Sequence, residues 1–143
     1  MNLFLTSLAK GASAVIYDDP EAERLFEERE DVTAIRVTSS RTALAYAAAG
    51  FYGNPSEKLT LVGITGTNGK TTTATLLYRM FTSMGYSCGL LSTIANYVGE
   101  KMTESVNTTS DPLTINSLLS EMVETGCEYC FMEVSSIGVE QER

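Results

Sequence analysis

Short apolar runs alternate with stretches of helical periodicity along the whole chain. Leu3, Phe4, Leu5 and Leu8 lie at helical spacing and stop at Gly11, a residue suited to the left-handed end of a helix. Residues 14–17 (Ala-Val-Ile-Tyr) read as a buried strand ended by Asp18, Asp19 and Pro20. A helix is expected over 21–28, a strand over 33–37, and an alanine-rich helix over 42–51 that Ser39 or Ser40 can cap. Tyr52-Gly53-Asn54-Pro55-Ser56 then gathers turn residues and marks the best domain boundary. Beyond it, residues 59–65 are apolar enough for a central parallel strand. A Gly-rich turn leads to a helix over 71–84 that stops at Gly85, and 88–92 forms the next strand. Residues 94–98 and 101–106, joined around Gly99, suit a hairpin. Asp111 can cap a helix with Pro112 at its first position, running to 125 before Gly126, and 129–134 closes the series as a strand. Strands separated by helices of this length imply βαβ units and a parallel sheet, hence an α/β fold.

Composition narrows what such a fold can do. The 143 residues are 43% hydrophobic and 20% charged, enough apolar material for a packed core. Ten basic against 18 acidic residues leave a net charge of −8, which argues against nucleic acid as a partner. No apolar run reaches the roughly 18 residues of a membrane span, and the N-terminus has no basic segment of a secretory signal, so a cytoplasmic protein is expected. There is no histidine, which removes histidine bases and histidine-ligated metals. Three cysteines suit a reducing compartment. The Cys127-Glu128-Tyr129-Cys130 spacing leads into a strand and lacks further ligands, so two small core residues account for it better than zinc or redox chemistry. The acidic stretch 18–31 reads as a solvated face.

The chemistry concentrates at Thr65-Gly66-Thr67-Asn68-Gly69-Lys70-Thr71-Thr72-Thr73, between an apolar strand and a helix. Glycines let backbone N–H groups turn toward a phosphate chain, and the helix N-terminus adds its positive dipole. Lys70 offers a point charge for β and γ phosphates, and Thr71 stands where a P-loop hydroxyl ligates Mg²⁺. The spacing is the shorter G-x-x-G-K-T form, since the first glycine of the longer pattern would fall on Ile64. The plain alternative is a Gly-rich helix cap. Glu133, at the end of an otherwise apolar strand, can hold a second side of Mg²⁺, against the alternative of a carboxylate simply emerging there. Asn107-Thr108-Thr109 is by itself an ordinary turn or capping stretch.

Together these motifs resemble the Mur ligases, in particular the members that make the UDP-muramoyl tripeptide. The likeness runs through Phe51-Tyr52-Gly53-Asn54-Pro55-Ser56, the Gly63–Thr73 loop, Leu90-Leu91-Ser92-Thr93-Ile94, Asn107-Thr108-Thr109 and Met132-Glu133-Val134-Ser135-Ser136. The resemblance implies an ATP-dependent ligase that joins an amino acid, meso-diaminopimelate or L-lysine, to UDP-N-acetylmuramoyl-L-alanyl-D-glutamate through an acyl phosphate. It implies ATP at Gly66, Thr67, Asn68, Gly69, Lys70, Thr71 and Thr72, with Lys70 catalytic, stabilising the transferred phosphoryl group. It assigns Mg²⁺ to Thr71 and Glu133, and the UDP-linked substrate to Asn107, Thr108, Thr109, Ser135, Gln141 and Arg143. Residues 1–56 then correspond to the tail of an N-terminal substrate domain, and 57–143 to the first half of a P-loop, parallel-sheet ATPase domain truncated at Arg143. The truncated chain is expected to be inactive alone. The sequence departs from the family pattern at Ser110, where proline is usual, and at Ile137, where histidine is usual. Two rivals remain open: a non-catalytic nucleotide-binding remnant, and another P-loop ligase of the folylpolyglutamate or cyanophycin synthetase type.

Overall fold

Each apolar run of the sequence forms a strand in the computed structural model, which describes residues 8–26, 29–104 and 109–140. The chain divides into two units, Met1–Leu44 and Ala45–Arg143.

In the first unit, β1 (Ala14–Tyr17) and β2 (Thr33–Arg36) pair in parallel, with Ala14 beside Thr33 and Tyr17 beside Arg36. Val15 and Tyr17, one face of β1, bury against Ala22 and Phe26, with half-buried Leu8 and Val32 packed around them. Of the helix expected over 21–28, residues 27–28 lie outside the described residues, and the described part is a short 3-10 helix, Pro20–Leu25. Asp19 and Pro20 start it correctly, the Asp19 carboxylate accepting from Glu21 N at 2.9 Å. Only Ala22 within it is buried, so no apolar stripe exists to stabilise further turns. Of the helix expected before Gly11, residues 1–7 lie outside the described residues. Gly11 does take the left-handed conformation, at φ 90°, and its N–H donates to Leu8 O at 2.9 Å. The acidic stretch is more than a solvated face: the Asp18 carboxylate accepts from both the N–H and the hydroxyl of Ser40, each at 2.8 Å. Those bonds, the backbone one first, hold the Asp18 carboxyl below its usual range. The helix α1 (Ser40–Phe51) is capped by Ser39, whose hydroxyl oxygen accepts from Thr42 N at 3.1 Å.

The second unit is a five-stranded sheet in the order β3 (Thr60–Ile64), β7 (Tyr129–Glu133), β4 (Cys88–Leu91), β5 (Ala95–Val98), β6 (Lys101–Glu104). The first three strands are parallel, as βαβ units require, and the expected hairpin adds β5 and β6 antiparallel. Alternation sorts the side chains onto two faces. Val62, Ile64, Cys88, Leu90, Tyr129 and Phe131 pack with α2 (Lys70–Ser83) through Ala74, Leu77, Tyr78 and Phe81. Leu61, Leu91, Cys130 and Met132 pack with α3 (Pro112–Glu124) through Ile115, Leu118, Leu119 and Met122. Cys127 and Cys130 are free thiols in this second core, and burial pushes the Cys130 thiol well above its ordinary range, so the core reading of this pair holds. No helix among the described residues is long and apolar enough to cross a membrane.

The α3 helix begins as its sequence requires. Asp111 Oδ1 accepts from Leu113 N at 3.0 Å and Thr114 N at 3.1 Å, and Oδ2 accepts from the Thr114 hydroxyl at 2.7 Å. The Thr114 hydroxyl is the chief reason the Asp111 carboxyl titrates below its ordinary 3.8. A carboxyl depressed in the folded state stabilises above the unfolded value and loses that stabilisation as pH falls through the folded one. Asp111→Ala is therefore expected to cost about 1 kcal/mol at neutral pH. The gap in melting temperature should close as pH drops below about 3.8; a gap unchanged from pH 7 to pH 3 would show that the charge contributes nothing.

Candidate functional site

The register of the sheet builds the site. Glu133 pairs with Ile64 of β3 at the carboxyl end of β7, where the strands give way to loops. Counting back by two, Phe131 and Tyr129 point toward α2, so Glu133 continues that face and comes under the first turn of α2. The side chain is fully buried. Its Oε2 accepts from the Thr71 hydroxyl at 2.9 Å and the Thr93 hydroxyl at 3.2 Å, and Oε1 accepts from Thr93 N at 2.9 Å.

Between β3 and α2 the chain makes the turn that the glycines allow. Gly66 has φ 146° and Gly69 φ 79°, backbone conformations that an L side chain rarely adopts. Gly69 is the residue before the helix and, having no side chain, cannot itself cap the donors of the first turn. Thr67, Asn68, Gly69 and Thr72 are exposed around this loop, while Lys70 and Thr71 are half-buried. The Lys70 ammonium folds back and donates to Gly66 O at 2.9 Å, over the mouth of the loop. The loop thus joins backbone donors, a helix N-terminus and one cation, a combination that suits a chain of phosphates.

A second cluster adjoins the backbone of Glu133. Thr109 is buried, and its Oγ1 lies 3.2 Å from both Glu133 O and Ser135 Oγ while accepting from Ser135 N at 3.0 Å. Ser135 Oγ in turn accepts from Gly138 N at 2.9 Å, at the start of a short helix, α4 (Ser136–Glu140), which periodicity did not suggest. Thr109 and Ser135, 26 residues apart, are therefore brought together. Asn107, Thr108, Gln141 and Arg143 lie outside the described residues. Of the two departures from the family pattern, Ser110 is half-buried and Ile137 is 58% exposed on α4.

The residue that spacing missed is Thr93. It follows β4 by two positions, and only the parallel pairing of β4 with β7 brings it to Glu133, 40 residues away. Nothing local in the sequence reports that pairing.

The Mur ligase middle domain family matches residues 64–143. The UDP-N-acetylmuramoyl-L-alanyl-D-glutamate--2,6-diaminopimelate ligase of Cytophaga hutchinsonii is 50% identical over 137 residues, covering 95% of this chain and 27% of that protein. The ligase of the same name from Bacteroides fragilis is also 50% identical over 137 residues, covering 96% and 27%. The chain thus spans about a quarter of the length of the curated relatives it matches. A solved structure of a UDP-N-acetylmuramoyl-L-alanyl-D-glutamate--2,6-diaminopimelate ligase superposes with TM-score 0.71 at 24% identity, over 96% of this chain and 26% of that one, so the two share a fold.

Gly138 is held to glycine by its neighbour: a Cβ there would come within 2.9 Å of Thr109 Cβ and Cγ2. Gly138→Ala should force Thr109 off its bonds to Ser135 and Glu133 O, at about 1–3 kcal/mol. A denaturant midpoint equal to wild type would show that this packing yields freely.

Proposed function

The chain belongs to the Mur ligase family, and on that premise we propose that it carries the nucleotide-binding half-site of an ATP-dependent, amide-forming ligase of peptidoglycan precursor synthesis. In this reading the ligase joins diaminopimelate to UDP-N-acetylmuramoyl-L-alanyl-D-glutamate, the reaction that the names of the two bacterial relatives describe. Residues 57–143 belong to its ATP-binding domain, and residues 1–56 to the end of a preceding substrate domain.

The observation that carries the reading is the buried carboxylate of Glu133, set against a P-loop hydroxyl. No Lys or Arg among the described residues pairs with it; the ion pairs there join Arg36 with Glu23 and Lys101 with Glu121, both exposed. A fully buried acid with hydrogen-bond donors but no cation is costly unless a positive charge joins it. Thr71 and Glu133 are both hard oxygen donors, the type Mg²⁺ takes when it shares a site with nucleotide phosphates. They would hold Mg²⁺, which supplies charge neutralisation on the β and γ phosphates.

The remaining residues have roles that follow from their chemistry. Backbone donors from Gly66 to Thr72 cradle the phosphates, and Lys70 leaves Gly66 O to meet the transferred phosphoryl group. Thr109 and Ser135 lie beyond Glu133, and in this reading they bind the UDP-linked substrate together with Asn107, Thr108, Gln141 and Arg143. Its carboxylate takes the γ phosphoryl group as ADP leaves, and the incoming amine then displaces phosphate from the acyl carbon. Arg143 suits a carboxylate or phosphate, which its planar fork can grip at two points.

Lys70→Ala is expected to weaken ATP binding by about 1.5–3 kcal/mol, tenfold or more, and AMP binding far less, because AMP has no β or γ phosphate for the ammonium. Calorimetric titration with each nucleotide measures this, and equal losses would remove Lys70 from its role. For the reaction, the decisive assay follows labelled diaminopimelate into a UDP-linked product, with these residues in the setting of the whole ligase. Phosphate release with a folate or peptide acceptor, and none with the UDP-muramoyl dipeptide, would favour the other P-loop ligases instead.

A further inference from the structure

The turn between β4 and β5 is built more firmly than its exposure suggests. Ser92, 2% exposed, donates its hydroxyl to Ala95 O at 2.7 Å and accepts from Ala95 N at 3.3 Å. Asn96, also buried, accepts from Ser92 N at 3.3 Å through its side-chain oxygen. These bonds close the turn from both sides and leave its corner, Thr93 and Ile94, exposed. Both hydrogen-bonding groups that Thr93 directs inward, its N–H and its hydroxyl, end on the carboxylate of Glu133.

Among the described residues, two donate to that carboxylate, Thr71 and Thr93. Thr71 is the one whose hydroxyl the P-loop commits to metal and phosphate. Thr93 has no such second duty, and its rigid turn fixes both of its donors at once. A carboxylate held at Oε1 by a backbone N–H cannot rotate about its terminal bond without losing that contact, so Oε2 stays turned toward Thr71.

We propose that Thr93 is the positioning residue of the cation site: its amide and hydroxyl fix the Glu133 carboxylate in the orientation that receives Mg²⁺ with the nucleotide. The inference rests on the nucleotide site proposed above and adds to it the residue that sets its metal affinity. Partners of ligating carboxylates have effects of this kind elsewhere, about 10–100-fold in metal affinity.

The test is nucleotide binding by the 143-residue chain, followed calorimetrically across a range of free Mg²⁺ and also with Mg²⁺ chelated. Thr93→Val keeps the amide and the branched shape but removes the hydroxyl; Thr93→Ser keeps both donors. The Val variant should need about tenfold more Mg²⁺ for half-maximal ATP binding. Its affinity for ATP without Mg²⁺ should stay within about twofold of wild type, and the Ser variant should stay within about twofold in both measurements. Thr93→Ala removes the same hydroxyl and takes the place of the Val variant should that one fail to melt cooperatively. A folded Val or Ala variant with wild-type Mg²⁺ dependence overturns the inference and leaves the nucleotide site standing. Equal loss of affinity with and without Mg²⁺ also overturns it, since that marks a general structural role. Wild-type chain that binds ATP with no dependence on Mg²⁺ removes the cation site, and this inference with it.

Discussion

A single buried carboxylate ties together segments that the chain keeps far apart. Glu133 ends β7, the middle one of the three parallel strands, and gathers Thr71 from the first turn of α2 and Thr93 from the turn after β4. Its backbone oxygen meets Thr109, which leads into α3. Burying a carboxylate is unfavourable unless donors surround it, so each of these loops must arrive in a defined place. The hydrophobic faces of the sheet supply the stability that this arrangement consumes. The two helices cover those faces, and β7 contributes to both cores, through Phe131 on one side and Cys130 on the other.

Much of this was legible in the order of residues. Apolar runs bounded by turn residues marked all seven strands within a residue or two of their ends, most plainly β4 and β7, because a strand buried on both faces leaves an unbroken apolar signature. Asp111 with Pro112, and Gly66 with Gly69, announced their helix starts through requirements that few other residues meet. Thr71 and Glu133 were also visible, one by its place after a lysine and the other as an acid out of keeping with its strand.

The misses share one cause. The helix expected over 21–28 has a plausible start and charge pattern, yet periodicity cannot tell how much tertiary surface awaits it; with only Ala22 buried, it closes as a 3-10 helix after Leu25. Thr93 and the short helix after Ser135 depend on contacts between strands 40 residues apart and on a neighbour, Thr109, that leaves room only for glycine. Local pattern reports which face a residue will take. It does not report which distant loop will meet that face.

The strand that leads into the Gly-rich loop lies at the border of the sheet, with β7 as its single partner among the described residues. Leu61, Val62 and Ile64 along it are half-buried, and Gly63 between them carries no side chain to obstruct an approaching backbone. Border strands in soluble proteins are commonly shielded by lysine, proline or a bulge, and the segment Thr60–Ile64 has neither lysine nor proline. Its outward row of amides and carbonyls therefore has the geometry to pair with one more strand. A strand added there would lengthen the sheet beside the Gly-rich loop.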